Sequence, residues 1–191
     1  MAEHVCPWWL GYLLSSPLRR LWHNPEKTLG PHVREGMTVL DIGPGMGFFS
    51  IPAARMVGAR GRVIAVDLQE KMLQGLARRA NQAGVAERIE LRVCSPKSLG
   101  VNEPVDVCLA FNVVHEVPDP QHLLAEIRAL LRPTGRLLLS EPGHHVSEAD
   151  FRRTLELASE AGLRVIGDLG LRSRMTAVCE PASGPRTSLD R

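Results

Sequence analysis

The sequence predicts a doubly wound α/β fold, in which helices cover both faces of a mainly parallel sheet. From Met37 onward, short segments typical of strands alternate with longer segments of helical periodicity. One segment, Val105–Phe111 (VDVCLAF), is apolar apart from Asp106, as expected of a strand that is buried on both faces. The 191 residues are enough for one sizeable core and few for two, so we expect a single α/β unit.

Seven short segments are predicted as strands. They are, in order, Thr38–Ile42, Arg62–Val66, Ile89–Val93, Val105–Phe111, Arg136–Ser140, Leu163–Ile166 and Met175–Cys179. The last two are separated by a Gly-Asp-Leu-Gly segment, which is typical of a terminal pair at the edge of a sheet.

Helical segments lie between these strands and carry start and stop signals. They run from a glycine-rich turn to Val57, over about 70–83, from Asp119 to the turn at Pro133, and from Ser147 to Gly162. Asp119 is a capping residue followed by proline at the first helical position. Ser147 with Asp150 resembles a capping box, with aspartate in place of glutamate or glutamine.

Composition and charge exclude several classes of protein. The formal net charge is +2, which does not favour a surface for polyanions, and four scattered cysteines without a CxxC pair disfavour a compact zinc site or a disulfide scaffold. No apolar run reaches the roughly 18–20 residues that span a bilayer. Val5–Leu14 resembles the apolar part of a signal peptide, but its charged flanks are reversed, so we expect a soluble, cytoplasmic protein.

The glycine-rich turn after the first strand predicts a ligand site. Gly43, Gly45 and Gly47 let the backbone turn sharply and let a ligand approach main-chain N–H groups. Asp67 ends the second strand, where a carboxylate in an open α/β sheet accepts hydrogen bonds from ribose hydroxyls. We therefore expect a ligand that contains a nucleoside at the carboxyl ends of the first two strands.

The spacing of the glycines favours one kind of nucleoside ligand. The turn reads GxGxG and not the GxGxxG of dinucleotide sites, and Asp41 precedes it inside the strand. A carboxylate so close to the ligand suits an ammonium group better than a phosphate. The pattern favours a ligand with ribose at one end and a cationic amino acid at the other.

These segments resemble those of class I S-adenosyl-L-methionine-dependent methyltransferases, in the small-molecule branch with the ubiquinone/menaquinone-type and arsenite-type enzymes. The matching segments are VLDIGPGMGFFSIPAA, VIAVD, VDVCLAFNVVHEVPDP and LLRPTGRLLLSEP, and the resemblance covers residues from about 36 to 179. It implies a Rossmann-like sheet of about seven strands with an antiparallel last strand. It also implies methyl transfer from S-adenosylmethionine to a small-molecule acceptor.

The resemblance implies roles for the residues around the methionine part of the cofactor. Gly43, Gly45 and Gly47 would contact this part, and Asp41 would act on its ammonium group indirectly or through water. Asn112, at the end of the fourth strand, would contribute main-chain contacts nearby.

For the nucleoside part, the resemblance implies that Asp67 binds the ribose hydroxyls and that Leu68 and Met72 lie against the adenine. Cys94 and Ser95 stand where the family often has an acidic residue for the adenine amino group. The serine hydroxyl would then make that hydrogen bond, more weakly than a carboxylate.

Two histidines are the candidates for a general base or for gripping the acceptor. His115 follows the fourth strand and His144 the fifth, and both strand ends face the ligand crevice in this topology. His115 packed against the cofactor and His144 in a solvated loop are the competing interpretations. We expect no metal site, because no spacing demands one, although His4 and Cys6 could supply ligands if the N-terminus folded over the crevice.

The domain prediction has three parts: a cap segment over residues 1–35, the methyltransferase domain over 36–180, and a disordered tail over 181–191. All three tryptophans and the only tyrosine lie within the first 22 residues, which favours an apolar cap over the acceptor. A helix packed on the sheet, a homodimer contact and a membrane-surface segment beside Arg19 and Arg20 remain alternatives.

Two other functions fit parts of the pattern. A non-catalytic S-adenosylmethionine-binding protein would share the same site, and a nicotinamide-dependent oxidoreductase would share the sheet. Binding or methylation of nucleic acid is not expected, because the charge is near neutral and neither an Asn-Pro-Pro-aromatic nor a Pro-Cys motif occurs.

Overall fold

The computed structural model describes residues 24–171 and 174–182. Its helices are α1 (Pro25–Leu29), α2 (Ser50–Val57), α3 (Glu70–Gln82), α4 (Pro120–Leu130) and α5 (Glu148–Glu160). Its strands are β1 (Thr38–Ile42), β2 (Arg62–Asp67), β3 (Ile89–Val93), β4 (Val105–Phe111), β5 (Leu131–Pro142), β6 (Leu163–Gly167) and β7 (Arg174–Pro181). No helix in these ranges is long and apolar enough to cross a membrane.

The seven strands form one sheet in the order β3-β2-β1-β4-β5-β7-β6. Strands β1 to β5 pair in parallel, whereas β7 runs antiparallel to both of its neighbours, β5 and β6. The prediction of a doubly wound sheet with an antiparallel last strand is therefore confirmed. The strand order reverses between β1 and β4, and such a switch point opens a crevice at the carboxyl ends of the strands.

Two hydrophobic layers hold the helices on the sheet. Leu40 and Ile42 of β1 pack with α4 and α5 on one face, while Val39 packs with α1, α2 and α3 on the other. Successive residues of a strand point to opposite faces, so a strand buried on both sides needs apolar residues throughout. This explains why the central strands read as continuous apolar runs.

Strand β5 is longer than predicted. It begins at Leu131, directly after α4, and a shift in register with β4 separates the pair Val105–Leu131 from the pair Val107–Arg136. Gly135 lies in this irregular part, where a Cβ atom would come within 3.1 Å of the carbonyl oxygen of Val105. The Pro-Thr-Gly signal therefore marks a bulge inside a strand and not the turn that we predicted.

Parts of the predicted N-terminal segment and of the predicted tail contact the domain. Leu29 and Val33, within the segment predicted over residues 1–35, are buried in the core beside α2. Pro181, predicted as the first residue of the tail, pairs with Leu163 in the sheet. The remaining parts of the predicted cap and tail lie outside the described residues.

Candidate active site

A cavity of about 290 Å³ opens at the carboxyl ends of β1, β2 and β4. The loops after these strands, the loop after β3 and the first turns of α4 form its walls. Most of the predicted site residues line it, namely Asp41, Gly43, Gly45, Asp67, Leu68, Met72, Cys94, Ser95 and Asn112. Gly47, His115 and His144 do not line this cavity.

Two glycines of the turn after β1 face the cavity and have positive φ angles. Gly43 has a φ of 62°, and a Cβ atom there would come 2.8 Å from Val113 Cγ2. Gly45 has a φ of 54°, and a Cβ atom there would meet no atom within 4 Å. The absence of a side chain at Gly45 thus keeps a stretch of backbone open to a ligand.

Gly47 has a packing role, and its contact with the methionine part of the cofactor stays a prediction. Its φ is 85°, and a Cβ atom there would collide with Cδ1 of Leu76 and approach Ile51 within 3.3 Å. Leu76 belongs to α3 and is fully buried. The third glycine therefore allows α3 and α2 to pack closely against the turn.

Asp41 is a buried carboxylate beside the cavity. Its side chain is only 3% exposed, and its Oδ2 accepts a hydrogen bond of 2.5 Å from Ser50 Oγ, at the first residue of α2. Burial is the main cause that raises the pKa of Asp41 to about 7; the Ser50 hydroxyl opposes this shift, and the charge of Asp67 adds to it. The carboxyl is thus poised to lose its proton when a cation approaches.

Asp67 ends β2 and presents a partly buried carboxylate to the same cavity. Its Oδ1 accepts a hydrogen bond of 2.8 Å from the backbone N–H of Gln69. Burial raises the pKa of Asp67, while backbone N–H groups of Gln69, Gly45 and Leu68 oppose this shift. These contacts fix the carboxylate, and its remaining acceptor positions suit the hydroxyls of a ligand.

The predicted adenine side is formed by Leu68, Met72, Cys94 and Ser95. Burial, followed by the charge of Asp67, raises the pKa of the Cys94 thiol to about 11, so the thiol stays neutral near pH 7. The hydroxyl of Ser95 accepts a hydrogen bond of 3.3 Å from the N–H of Lys97 in its own turn. Its bond to adenine stays a prediction.

Two side chains of α4 hold the loop after β3, and the sequence analysis missed both. Glu126 Oε1 accepts hydrogen bonds of 2.9 Å from the hydroxyl of Ser98 and from the N–H of Leu99. Nε2 of His122 lies 2.9 Å from the carbonyl oxygen of Lys97. The spacing of four residues between His122 and Glu126, on one face of a helix, was the available signal.

Three phenylalanines form an aromatic wall of the cavity. The ring centroids of Phe48 and Phe49 are 5.1 Å apart, and those of Phe49 and Phe111 are 4.4 Å apart, both in edge-to-face geometry. From the sequence, aromatic contacts are expected only in the N-terminal segment. The Phe-Phe pair directly after the glycines was the missed signal.

Asn112 has a φ of 61°, which is unusual for a residue other than glycine. Its N–H donates to the carbonyl oxygen of Ser140 at 2.8 Å, and its Oδ1 accepts a hydrogen bond from Arg174. Arg174 also donates from Nε to the hydroxyl of Ser140 at 2.6 Å. Arg174 thus holds the loop after β4, a role that no local motif indicates.

The two predicted histidines have different surroundings. His115 lies in a short 3-10 turn after β4, and its Nδ1 is 2.5 Å from Oε2 of Glu141. His144 lies in an exposed turn after β5, with its ring centroid 4.3 Å from that of His145. Among the described residues, no three histidine, cysteine, aspartate or glutamate side chains are grouped to hold a metal ion.

Comparison with known proteins assigns this arrangement to a family. A ubiquinone biosynthesis O-methyltransferase from Paramagnetospirillum magneticum is 40% identical over 101 residues, 53% of this chain and 39% of the relative. An arsenite methyltransferase from Halobacterium salinarum is 37% identical over 107 residues, 56% of this chain and 27% of the relative. The chain spans about half, or less, of the length of the curated relatives that it matches.

A solved structure shares the fold over nearly the whole chain. The crystal structure of a SAM dependent methyltransferase from Aquifex aeolicus superimposes with a TM-score of 0.80 and 24% identity, covering 92% of this chain and 98% of that one. The sequence pattern of the methyltransferase domain family matches residues 33–166, from before β1 into β6. This chain therefore belongs to the methyltransferase domain family, among the class I S-adenosylmethionine-dependent methyltransferases.

Proposed function

We propose that the cavity binds S-adenosylmethionine and that the chain catalyses transfer of its methyl group to a small-molecule acceptor. One observation carries the proposal: the Asp67 carboxylate and the uncovered backbone of Gly45 line a single cavity at the switch point of the sheet. Family membership supports the same activity.

The residues present fit the chemistry of this cofactor. Asp67 supplies acceptors for ribose hydroxyls, Gly45 leaves room beside main-chain groups, and Asp41 offers a carboxyl to an ammonium group. When bound, S-adenosylmethionine supplies a methyl carbon on a positively charged sulfur, and the sulfur keeps the electron pair of the broken bond. The protein positions the acceptor in line with that methyl group and excludes water.

The position of Asp41 argues against a dinucleotide. Pyrophosphate groups bind at the N-terminus of the helix that follows the glycine turn, where N–H groups and the helix dipole favour negative charge. Here the Asp41 carboxyl bonds Ser50, the first residue of α2, so an acidic group of the chain already lies at that helix end. A second negative group would be repelled, whereas a cationic amino acid would be attracted.

Two measurements test the proposal. Isothermal titration calorimetry should show saturable binding of S-adenosylhomocysteine and no binding of NAD under the same conditions. Incubation with S-adenosylmethionine labelled in its methyl group should transfer label to small molecules of a cell extract. Binding of NAD in preference to S-adenosylhomocysteine contradicts the cofactor, and tight cofactor binding without any labelled product supports a non-catalytic binding protein instead.

A further inference from the structure

A buried glutamate and a histidine form a pair beside the cofactor cavity. Glu141, near the end of β5, is 1% exposed, and its Oε2 lies 2.5 Å from Nδ1 of His115. The other carboxylate oxygen, Oε1, accepts a hydrogen bond of 2.9 Å from the N–H of Val114. Both oxygens of Glu141 are thus engaged by the turn that follows β4.

This contact fixes which nitrogen of the histidine carries a hydrogen. An ionised carboxylate only accepts hydrogen bonds, so Nδ1 of His115 must donate to Glu141. In the neutral imidazole, Nε2 then has a free electron pair and is the basic nitrogen. Without His115, Oε2 of the buried Glu141 would have no hydrogen-bond donor, which is costly.

The basic nitrogen lies next to a residue of the cavity wall. Nε2 of His115 is 3.9 Å from Oε1 of Glu116, and Glu116, Asn112 and Val113 line the cavity, whereas His115 itself does not. The side chain of His115 is 26% exposed, so it is open to a ligand that extends past Glu116.

Three charged groups surround His115. Glu141 faces it from β5, Glu116 from the same turn and Arg174 from β7. The hydrogen bond to Glu141 raises the pKa of His115 most, both glutamate charges add to this, and burial and Arg174 oppose it. The base is therefore stronger than an isolated histidine, and its neutral form is reached at higher pH.

We propose that His115 removes a proton from the methyl acceptor, that Glu141 positions it for this task, and that the acceptor atom is a hydroxyl oxygen. The inference rests on the proposed function and deepens it by naming the acceptor class. An acceptor whose attacking atom carries no proton, such as the arsenic of arsenite, needs no such base. A buried pair with this geometry is typical of sites that take a proton from a hydroxyl.

The proton balance of the reaction follows from this geometry. The hydroxyl oxygen would form a bond to the methyl carbon while the bond from that carbon to sulfur breaks, and the sulfur would keep the electron pair as neutral S-adenosylhomocysteine. The proton of the hydroxyl would go to Nε2 of His115. The resulting imidazolium is stabilised by its hydrogen bond to the Glu141 carboxylate. The proton then leaves to water, and His115 returns to the neutral state with Nδ1 still donating to Glu141.

The first test measures the tautomer and the pKa of His115 directly and needs no methyl acceptor. In protein labelled with ¹⁵N in its histidine rings, NMR should show His115 with a proton on Nδ1 when neutral and a pKa above that of a free histidine. In Glu141→Gln, the amide donates to Nδ1, so the proton moves to Nε2 and the pKa falls. The matched control Glu148→Gln, on the exposed first turn of α5, should leave both unchanged.

The second test uses catechol and arsenite as probe acceptors with labelled S-adenosylmethionine. The wild type should methylate catechol and not arsenite. His115→Gln and Glu141→Gln should lower kcat for catechol by about 10²–10⁴-fold with little change in KM, as expected for loss of a general base. The control His145→Gln, in the exposed turn, should keep wild-type kcat.

Several results would overturn the inference. They are a proton on Nε2 of neutral His115 in the wild type, a Glu141→Gln variant with unchanged tautomer and pKa, and methylation of arsenite in preference to catechol. Binding of S-adenosylhomocysteine distinguishes this failure from failure of the proposed function. If the wild type and both variants bind S-adenosylhomocysteine equally, any of these results contradicts only the roles of His115 and Glu141. If the wild type does not bind it, the proposed function itself is contradicted.

Discussion

At the scale of single residues, the charge state of Asp41 couples the site to pH. Its carboxyl is buried, it accepts a hydrogen bond from Ser50, and its pKa of about 7 lies well above the usual range. Below pH 7 the carboxyl in the free protein is mostly protonated. An ammonium group that binds nearby stabilises the ionised form and thus expels the proton.

We therefore predict that the affinity for S-adenosylhomocysteine rises as the pH is raised through about 7 and then levels off. At pH 6, binding should release up to about one proton, because the free Asp41 carboxyl holds a proton that the complex does not. Calorimetry in buffers of different ionisation enthalpy measures this release. Binding enthalpies that are independent of the buffer would show that Asp41 does not sense the ammonium group.

The variant Asp41→Asn is the matched control for this prediction. The amide preserves the shape of the side chain and cannot ionise, so the proton release should vanish and the affinity should fall at pH 8. A variant that still releases a proton at pH 6 would assign the effect to another group, such as Asp67, whose pKa is also raised by burial.

Residues at strand ends were predictable from the sequence, whereas partners from distant strands were not. Asp41, Gly45 and Asp67 carry local signals, because each stands in or directly beside a glycine turn or a strand end. The contact between His115 and Glu141 joins residues 26 positions apart, and that between Arg174 and Asn112 joins residues 62 positions apart. Only the order of the strands in space brings these side chains together.

At the scale of elements, the turn between β1 and α2 has two roles, one towards the cavity and one towards the helices behind it. Gly45 keeps the backbone open towards the cavity, and Gly47 lets α3 pack closely from behind. In the sequence pattern the three glycines are equivalent. In the structure they differ in the atoms that an added Cβ would contact.

This separation predicts different effects for two equally strained alanines. Gly45 and Gly84 have φ angles of 54° and 68°, and neither has an atom within 4 Å of an added Cβ. Gly45→Ala and Gly84→Ala should each lose roughly 1–2 kcal/mol of stability, because alanine disfavours this conformation. Only Gly45 lines the cavity, so only Gly45→Ala should weaken binding of S-adenosylhomocysteine, by about tenfold or more.

Thermal unfolding and calorimetry on both variants check this prediction. A similar loss of stability with a selective loss of affinity at Gly45 supports the assignment of the turn. Equal affinity in the two variants would show that the ligand does not approach the backbone at Gly45.

Strand bounds were predictable where the signals are local and failed where pairing decides them. The predicted bounds of β1, β3 and β4 agree with the structure, since the mainly apolar pattern of β1 and β4 and the alternating pattern of β3 each have a clear end. Strand β5 extends through a Pro-Thr-Gly segment because β4 pairs with it on both sides of a register shift. A sequence pattern does not show whether such a segment leaves the sheet or bulges within it.

At the scale of the whole molecule, the strand order creates the site. The reversal between β1 and β4 brings the ends of β1, β2 and β4 to one cavity, which contains Asp41, Asp67 and Asn112. The glycine turn and the acidic strand end predicted a ligand at the ends of the first two strands, and the resemblance to methyltransferases implied the type of sheet. The sequence did not predict that Leu29 and Val33 belong to the core, since their burial depends on contact with the sheet layer beside α2.

The central claim is that the carboxylate at the end of β2 binds the ribose of the cofactor. Calorimetric titration of S-adenosylhomocysteine into the wild type, Asp67→Asn and Asp106→Asn tests it most directly. Asp106 is the matched control, because its Oδ2 also accepts a backbone N–H at 2.8 Å but it lies at the opposite end of the sheet, near the start of β4.

The account predicts that Asp67→Asn raises the Kd about 10- to 100-fold, the cost of losing charge-assisted hydrogen bonds to ribose hydroxyls. Asp106→Asn should leave the Kd within about twofold of the wild-type value. A Kd that is unchanged in Asp67→Asn, or that rises equally in both variants, would contradict the claim.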